Sequence, residues 1–334
     1  MSWRVLITSR VFDTIGEPAL ELLRANGCEV ILPEKFGPYK TEILIPSLRG
    51  VDATLCSPDQ YNVQTLRSPE SSRLKVISRW GVGYDSIDVP EATRQGIVVA
   101  YTPSMLNETV ADWTWALLLG IARRVPHGHM AMANGRWTQF WGHDVHDKTI
   151  GIIGCGRIGQ AVARRAAGFN MKVLAYDCVP CKEMAGIQFV TLDELLVQSD
   201  FVSIHAALTP ESRGMIGEAQ LRRMKPSAYL INTARGPLVD EAALVRALHE
   251  NVIAGAAIDV FTTEPLPADS PLYGAPNLLL EAHQASFTRE TGERDCLAAA
   301  QAIVDLMHGS KPRWVVDSTV YESPALRARL KQIL

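Results

Sequence analysis

The chain has 334 residues, of which 47% are apolar and 21% charged, and it carries a net charge of -3. That length exceeds one ordinary core and predicts two domains of about 100–200 residues each, folded throughout, with a cleft between two lobes. Without a long Lys/Arg run or an excess of positive charge, neither nucleic acid nor an anionic membrane is an expected partner.

The first ten residues, MSWRVLITSR, hold a short apolar stretch interrupted by Arg4 and Arg10, which predicts a first strand rather than a secretory signal. From there to Tyr101, β-branched runs at Val5–Ile7, Val30–Leu32, Ala53–Leu55, Lys75–Ile77 and Ile97–Val99 alternate with helix-length segments such as Ile15–Asn26. Asn26-Gly27 reads as the C-cap of that helix, and Gly96 closes the segment before the last strand. An unbroken apolar helix is expected from Thr109 to Arg124, followed by a polar, aromatic-bearing link from Gly135 to His146. Its most apolar part, Trp113–Ala122, is about half a membrane span and predicts a buried helix, leaving a cytoplasmic protein as the expectation.

A second alternation follows, with strands expected at 149–153, 172–176, 200–204, 227–231 and 254–258 and helices such as Arg157–Ala167 and Glu241–Glu250. The fold class is therefore α/β, with two doubly wound parallel sheets and ligand at the carboxyl ends of their strands. Cysteines 28, 56, 155, 178, 181 and 296 are sparse for this length, so reduced thiols are expected.

The strand Thr149–Ile153 runs into Gly154, Gly156 and Gly159 of a GxGxxG turn that opens a helix. Gly154 permits the tight turn, Gly156 a close approach to a pyrophosphate, and Gly159 close packing of the helix on the strand. Asp177 ends the next strand, 18 residues past Gly159, where a carboxylate takes both ribose hydroxyls and repels a 2′-phosphate. NAD is thus the predicted cofactor, in preference to NADP. No metal is predicted, because the Cys178/Cys181 pair lacks a second pair and the His127/His129 and His143/His146 pairs lack a third ligand.

Reduction of a 2-oxo acid requires a cation for the carboxylate and carbonyl and a general acid that works near neutrality. Arg235 follows the strand Tyr229–Thr233, His283 follows Leu278–Leu280, and Glu264 lies in a turn after the strand ending at Ile258. A carboxylate paired with that imidazole would fix its tautomer. Read singly, each of the three residues is ambiguous.

Together with Arg79–Asp85 (RWGVGYD), Val110–Asp112, GCGRIG, Asn232–Gly236, Asp259–Phe261 and Glu264-Pro265, they make the chain resemble the D-isomer-specific 2-hydroxyacid dehydrogenase family over nearly its whole length. The resemblance implies an NAD-dependent oxidoreductase with Arg235, Glu264 and His283 as catalytic residues and His283 as acid/base. It implies that Val82 and Gly83 offer N–H groups to the substrate carboxylate. Arg157, Ile158, Asp177, Ala206, Thr209, Thr233, Ala234 and Asp259 match positions lining the dinucleotide, and Thr109 one near the nicotinamide. A flavodoxin-like substrate domain of residues 1–103 and 290–334, a Rossmann NAD-binding domain of 104–289, and a homodimer through the helix at 109–124 and the following link are further implications.

Within the family the chain is similar to phosphoglycerate dehydrogenase-like and glyoxylate/hydroxypyruvate reductase-like members. It departs from the common pattern at Glu281-Ala282, Gln284 and Ala207, and an inward-facing Glu281 would disfavour a second anionic group on the substrate. A phosphonate- or phosphite-type oxyanion dehydrogenase and an NAD-sensing corepressor-like binding protein stand as alternatives.

Overall fold

A computed structural model describes residues 2–179 and 185–331; Cys181 of the Cys178/Cys181 pair lies outside them. The chain forms two compact units, Met1–Leu106 with Phe287–Leu334, and Asn107–Ser286.

The first unit begins with β1 (Arg4–Ile7), α1 (Val11–Ile15), α2 (Glu17–Ala25), β2 (Glu29–Ile31), α3 (Thr41–Ser47), β3 (Ala53–Cys56), α4 (Val63–Leu66), β4 (Val76–Arg79), α5 (Val89–Arg94) and β5 (Val98–Tyr101). The strands form a parallel sheet in the order β2-β1-β3-β4-β5. Every residue of β3 and β4 is buried, as expected when helices cover both faces of a parallel sheet. Alternation sorts the side chains: Val5, Ile7, Ala53, Leu55 and Val76 enter one core with Leu20 and Leu23, while Leu6, Cys56 and Ile77 enter another with Leu44 and Leu48.

The helix expected over Ile15–Asn26 is α2, preceded by the short α1, which it meets at Gly16. A Cβ there would stand 2.4 Å from Phe12 Cα, so only glycine lets the two turns pack this closely.

The second unit holds α6 (Asn107–Ala122), α7 (Val125–Ala133), β6 (Thr149–Ile153), α8 (Arg157–Ala166), β7 (Lys172–Tyr176), β8 (Ile187–Phe189), α9 (Leu192–Gln198), β9 (Phe201–Ile204), α10 (Glu218–Arg223), β10 (Tyr229–Asn232), α11 (Glu241–His249), β11 (Gly255–Ile258) and β12 (Leu278–Leu280). The apolar helix stops at Ala122 rather than Arg124, because Arg124 turns left-handed at φ 57° and starts α7. The seven strands are parallel in the order β12-β11-β10-β9-β6-β7-β8. The order reverses at β6, whose neighbours are β7 and β9, and the crevice at such a reversal is where doubly wound sheets bind ligands.

α12 (Arg289–Met307) then belongs to the first unit, where Ser78 Oγ donates to the Ala299 carbonyl at 2.8 Å. Gly292 on this helix faces Ile15, whose Cδ1 would lie 2.0 Å from any Cβ.

Glu91 on α5 ties the α4–α5 corner together. Its side chain is 1% exposed and accepts from Arg67 at 2.7 and 3.0 Å, Arg94 at 2.9 and 2.6 Å, and Gln95 at 2.9 Å. The hydrogen bonds from Arg67, then Gln95, lead in holding its carboxyl down to about 2. A depressed carboxyl stabilises the fold above its unfolded value, and that contribution disappears as pH falls through the folded value. Glu91→Gln is expected to cost about 2 kcal/mol at pH 7, since both arginines are over half exposed and rehydrate. Urea unfolding across pH should show the difference from wild type shrinking from pH 4.5 towards pH 2; a constant difference would refute this.

Candidate active site

At the end of β6, Gly154 turns at φ 90°, and a Cβ on it would meet the Ala206 nitrogen at 2.5 Å, so the loop presses against the chain leaving β9. A Cβ on Gly159 would lie 2.2 Å from the Gly154 carbonyl oxygen, which seats α8 on the same loop. Gly156 differs: nothing stands within 4 Å of its Cβ direction, and it caps α8 without a side-chain hydrogen bond. The residue that caps this ten-residue helix thus leaves open the space a side chain would fill, which suits a pyrophosphate at the helix N-terminus. Arg157 is exposed and Ile158 half-buried at the helix start.

Asp177 follows β7 and is pinned beside this loop, its Oδ2 accepting from the Cys155 N–H at 2.7 Å and its Oδ1 from the Val179 N–H at 3.0 Å. Bare glycine cradle, helix terminus and carboxylate together fit an adenine dinucleotide. After β9, Ala206 packs on Gly154, and Thr209 and Ser212 exchange hydrogen bonds of 2.8 and 3.2 Å in an exposed turn. His205, bonded to Ser203 Oγ at 2.8 Å, is pushed down to about 3 by desolvation, so it is neutral.

The chain leaving β10 is shaped by buried Asn232, whose side chain donates to the Arg235 carbonyl at 2.9 Å and accepts from the Ala234 N–H at 3.0 Å. Thr233 Oγ1 lies 3.0 Å from Thr114 Oγ1, and Arg235 Nη1 donates to the Ala234 carbonyl at 2.7 Å. At Gly236 this turn touches the next one: a Cβ there would be 2.0 Å from the Phe261 carbonyl carbon.

That neighbouring turn, after β11, carries Glu264. One carboxylate oxygen accepts from the Phe261 N–H at 2.9 Å, and the other is 2.7 Å from His283 Nδ1. Burial alone would push Glu264 up, but the hydrogen bond and charge of His283, the Phe261 N–H and the Arg235 charge hold it below the usual glutamate range. An ionised carboxylate only accepts, so Nδ1 carries the proton of this pair and Nε2 is left to face a reactant. His283 sits at φ 52°, its N–H bonded to the Asp259 carbonyl at 2.8 Å. The Asp259 carboxylate, wholly buried, accepts from the N–H groups of Gln284 and Ala285, both at 3.0 Å, and from the Trp113 indole at 3.3 Å.

Arg235, Glu264 and His283 therefore stand beyond the carboxyl ends of the adjacent strands β10, β11 and β12. Glu281 is half-buried, and its carboxylate accepts from the Gln284 side chain. Thr109 lies in the first turn of α6. In the first unit, Val82 and Gly83 follow β4 behind Gly81, which turns at φ 112° and exchanges bonds of 2.8 and 3.1 Å with Thr102.

The remaining histidines and tryptophans divide by environment. His143 packs edge-on against Tyr229, His146 pairs with Asp147 at 3.1 Å, and no three His, Cys, Asp or Glu side chains converge as a metal site among the described residues. Trp80 is core, packed against Phe287, whereas Trp137 and Trp141 are exposed. Asn232 and Trp113 shape the site without a separate signal in the sequence, since a strand-end Asn and a helical Trp read as structure until their partners are known.

A doubly wound sheet with this glycine turn and carboxylate defines a nicotinamide-dependent oxidoreductase. Residues 115–285 match the NAD binding domain of D-isomer specific 2-hydroxyacid dehydrogenases. The glyoxylate reductase of Korarchaeum cryptofilum is 42% identical over 323 residues, 93% of this chain and 96% of that one. Among solved structures, a glyoxylate reductase from Paecilomyes thermophila is 31% identical with a TM-score of 0.80, over 95% of this chain and 99% of the other. An NADPH-dependent glyoxylate/hydroxypyruvate reductase from Sinorhizobium meliloti, in complex with NADP and malonate, is 28% identical with a TM-score of 0.84 over the whole of both chains. The chain belongs to the D-isomer-specific 2-hydroxyacid dehydrogenase family.

The Gly236–Phe261 approach yields a test. Gly236→Ala should force the Arg235 and Glu264 turns apart, costing about 1–3 kcal/mol in thermal unfolding and lowering 2-oxo acid turnover at least tenfold. Wild-type turnover in the variant would refute the importance of this contact.

Proposed function

We propose that the protein is an NAD-dependent reductase of small 2-oxo acids, with glyoxylate and hydroxypyruvate as its best substrates. The observation that carries this reading is the Glu264–His283 pair, 2.7 Å apart, set beside Arg235 at the ends of three adjacent strands. The glyoxylate reductase names of its relatives support the substrate class.

The nicotinamide, when bound, supplies the hydride that C2 of the substrate receives. His283 Nε2 gives a proton to the carbonyl oxygen, and Glu264 holds the ring in the required tautomer and offsets its charge. Arg235 binds the carboxylate and polarises the carbonyl. In the reverse direction His283 accepts the proton of a 2-hydroxy acid. The loop of Gly154, Gly156 and Gly159 with Arg157 and Ile158 takes the pyrophosphate, Asp177 the ribose, and Thr109, Ala206, Thr209, Thr233 and Ala234 line the rest of the dinucleotide, while the wholly buried Asp259 holds the turn after His283 instead.

Asp177 favours NADH over NADPH, in contrast to the Sinorhizobium meliloti enzyme. Reduction of glyoxylate, hydroxypyruvate, pyruvate and phosphohydroxypyruvate should be followed with NADH and with NADPH, in wild type and in His283→Ala. Glyoxylate or hydroxypyruvate turnover, NADH-preferring and lost about 1000-fold in the variant, is expected. No turnover of any acid despite NADH binding would overturn the reading.

The protein acts as a homodimer in the cytoplasm. Trp137 and Trp141 are 84% and 96% exposed, with Val125, Met130, Met132 and Phe140 exposed nearby in sequence. Exposed aromatic and apolar side chains of this kind suit contact with a second copy of the chain. The free cysteines among the described residues suit a reducing compartment. Light scattering should give twice the 36.7 kDa chain mass, and Trp141→Glu should lower it; a monomeric wild type would refute the dimer.

A further inference from the structure

Catalysis by His283 depends on the path of the chain that carries it, and that path is not one a histidine adopts on its own account. His283 sits in the left-handed region at φ 52°, and both residues after it donate their N–H groups to a single side chain, Asp259. Asp259 is 0% exposed, so no bulk water replaces a lost donor. The Trp113 indole is a side-chain donor to the Asp259 carboxylate, reaching at 3.3 Å the same Oδ1 that accepts from the Gln284 N–H at 3.0 Å. Trp113 is half-buried on α6, its ring resting against the core beneath.

We propose that Trp113 is a positioning residue for the reaction: its indole N–H holds the Asp259 carboxylate in the orientation that templates the His283–Ala285 turn. This rests on the reading of His283 as the acid/base.

The indole acts on His283 through two intervening contacts, so its removal should change turnover more than substrate binding. Burial already pushes Asp259 above the usual range, opposed by the Gln284 and Ala285 N–H groups, the charge of His283 and the indole. Among the charges acting on Asp259 is that of His283, which Glu264 holds, with Arg235 acting in turn on Glu264. On α6, Glu108 and Asp112 are engaged by Arg165. Without the indole, Asp259 protonates more readily, and a neutral carboxyl is a weaker acceptor for the two N–H groups of the turn.

The test is Trp113→Phe, which keeps an aromatic ring and removes the N–H. Trp115→Phe is the control, since it removes the Trp115 indole bond to the Val162 carbonyl (3.1 Å) on the same helix, away from Asp259. Trp113→Phe should lower kcat about tenfold with KM for glyoxylate within about twofold, and the loss should deepen as pH falls. Trp113→His, which keeps a ring N–H, should recover part of it. In Asp259→Asn, adding Trp113→Phe should cause little further loss, because the two act through one contact. Trp115→Phe should lower the melting temperature while its pH profile follows wild type.

A wild-type kcat and pH profile in Trp113→Phe, or full additivity with Asp259→Asn, overturns the proposal. If instead His283→Ala keeps its activity, the acid/base reading fails; loss in His283→Ala with a wild-type Trp113→Phe overturns the positioning role alone.

Discussion

A buried carboxylate organises the end of the sheet where the chemistry is placed. Asp259 ends β11, its backbone carbonyl accepts from the His283 N–H, and its side chain accepts from the two residues that follow. Burial makes the charged form costly, and the donors around it offset that cost. The same contacts hold the chain leaving β12 in a left-handed turn that presents the imidazole to Glu264. Loop geometry, tautomer and charge at this end of the sheet thus share one anchor.

The other constraint is steric. At Gly154, Gly159 and Gly236 the backbone passes so close to a neighbouring segment that no Cβ fits. The first two compress the cofactor turn against β9 and α8, and the third brings the turn after β10 against the turn after β11. Gly156 is the counterpart, with nothing opposite it, because a ligand rather than protein is suited to that space. Glycine serves two physical ends within one site: close backbone approach in three places and an open cradle in the fourth.

The departures from the common family pattern are resolved by their partners. Glu281 and Gln284 bond to each other, so the negative charge beside the histidine turn is held by an amide rather than left bare. Ala207, after His205, offers its carbonyl to the Ser212 hydroxyl in the turn that also contains Thr209.

Much of this was legible in the sequence. Alternating β-branched runs and helix-length segments determine two parallel α/β sheets, because a strand buried on both faces needs a continuous apolar run and a crossover helix. GxGxxG after a strand with Asp177 on the next determines the cofactor class, since backbone approach and ribose bonding demand those residue types at that spacing. Local pattern missed what depends on neighbours distant in the chain. The meeting of α1 and α2 at Gly16 and the left-handed Arg124 answer to packing, and β8 is three residues with a polar centre at a sheet edge, too short to show a period. Only the tertiary structure decided that Asn232 shapes the Arg235 turn and that Trp113 reaches Asp259 across 146 positions of chain. Hydrogen bonds between separate strand ends are set by sheet order and register, and no local run of residues records them.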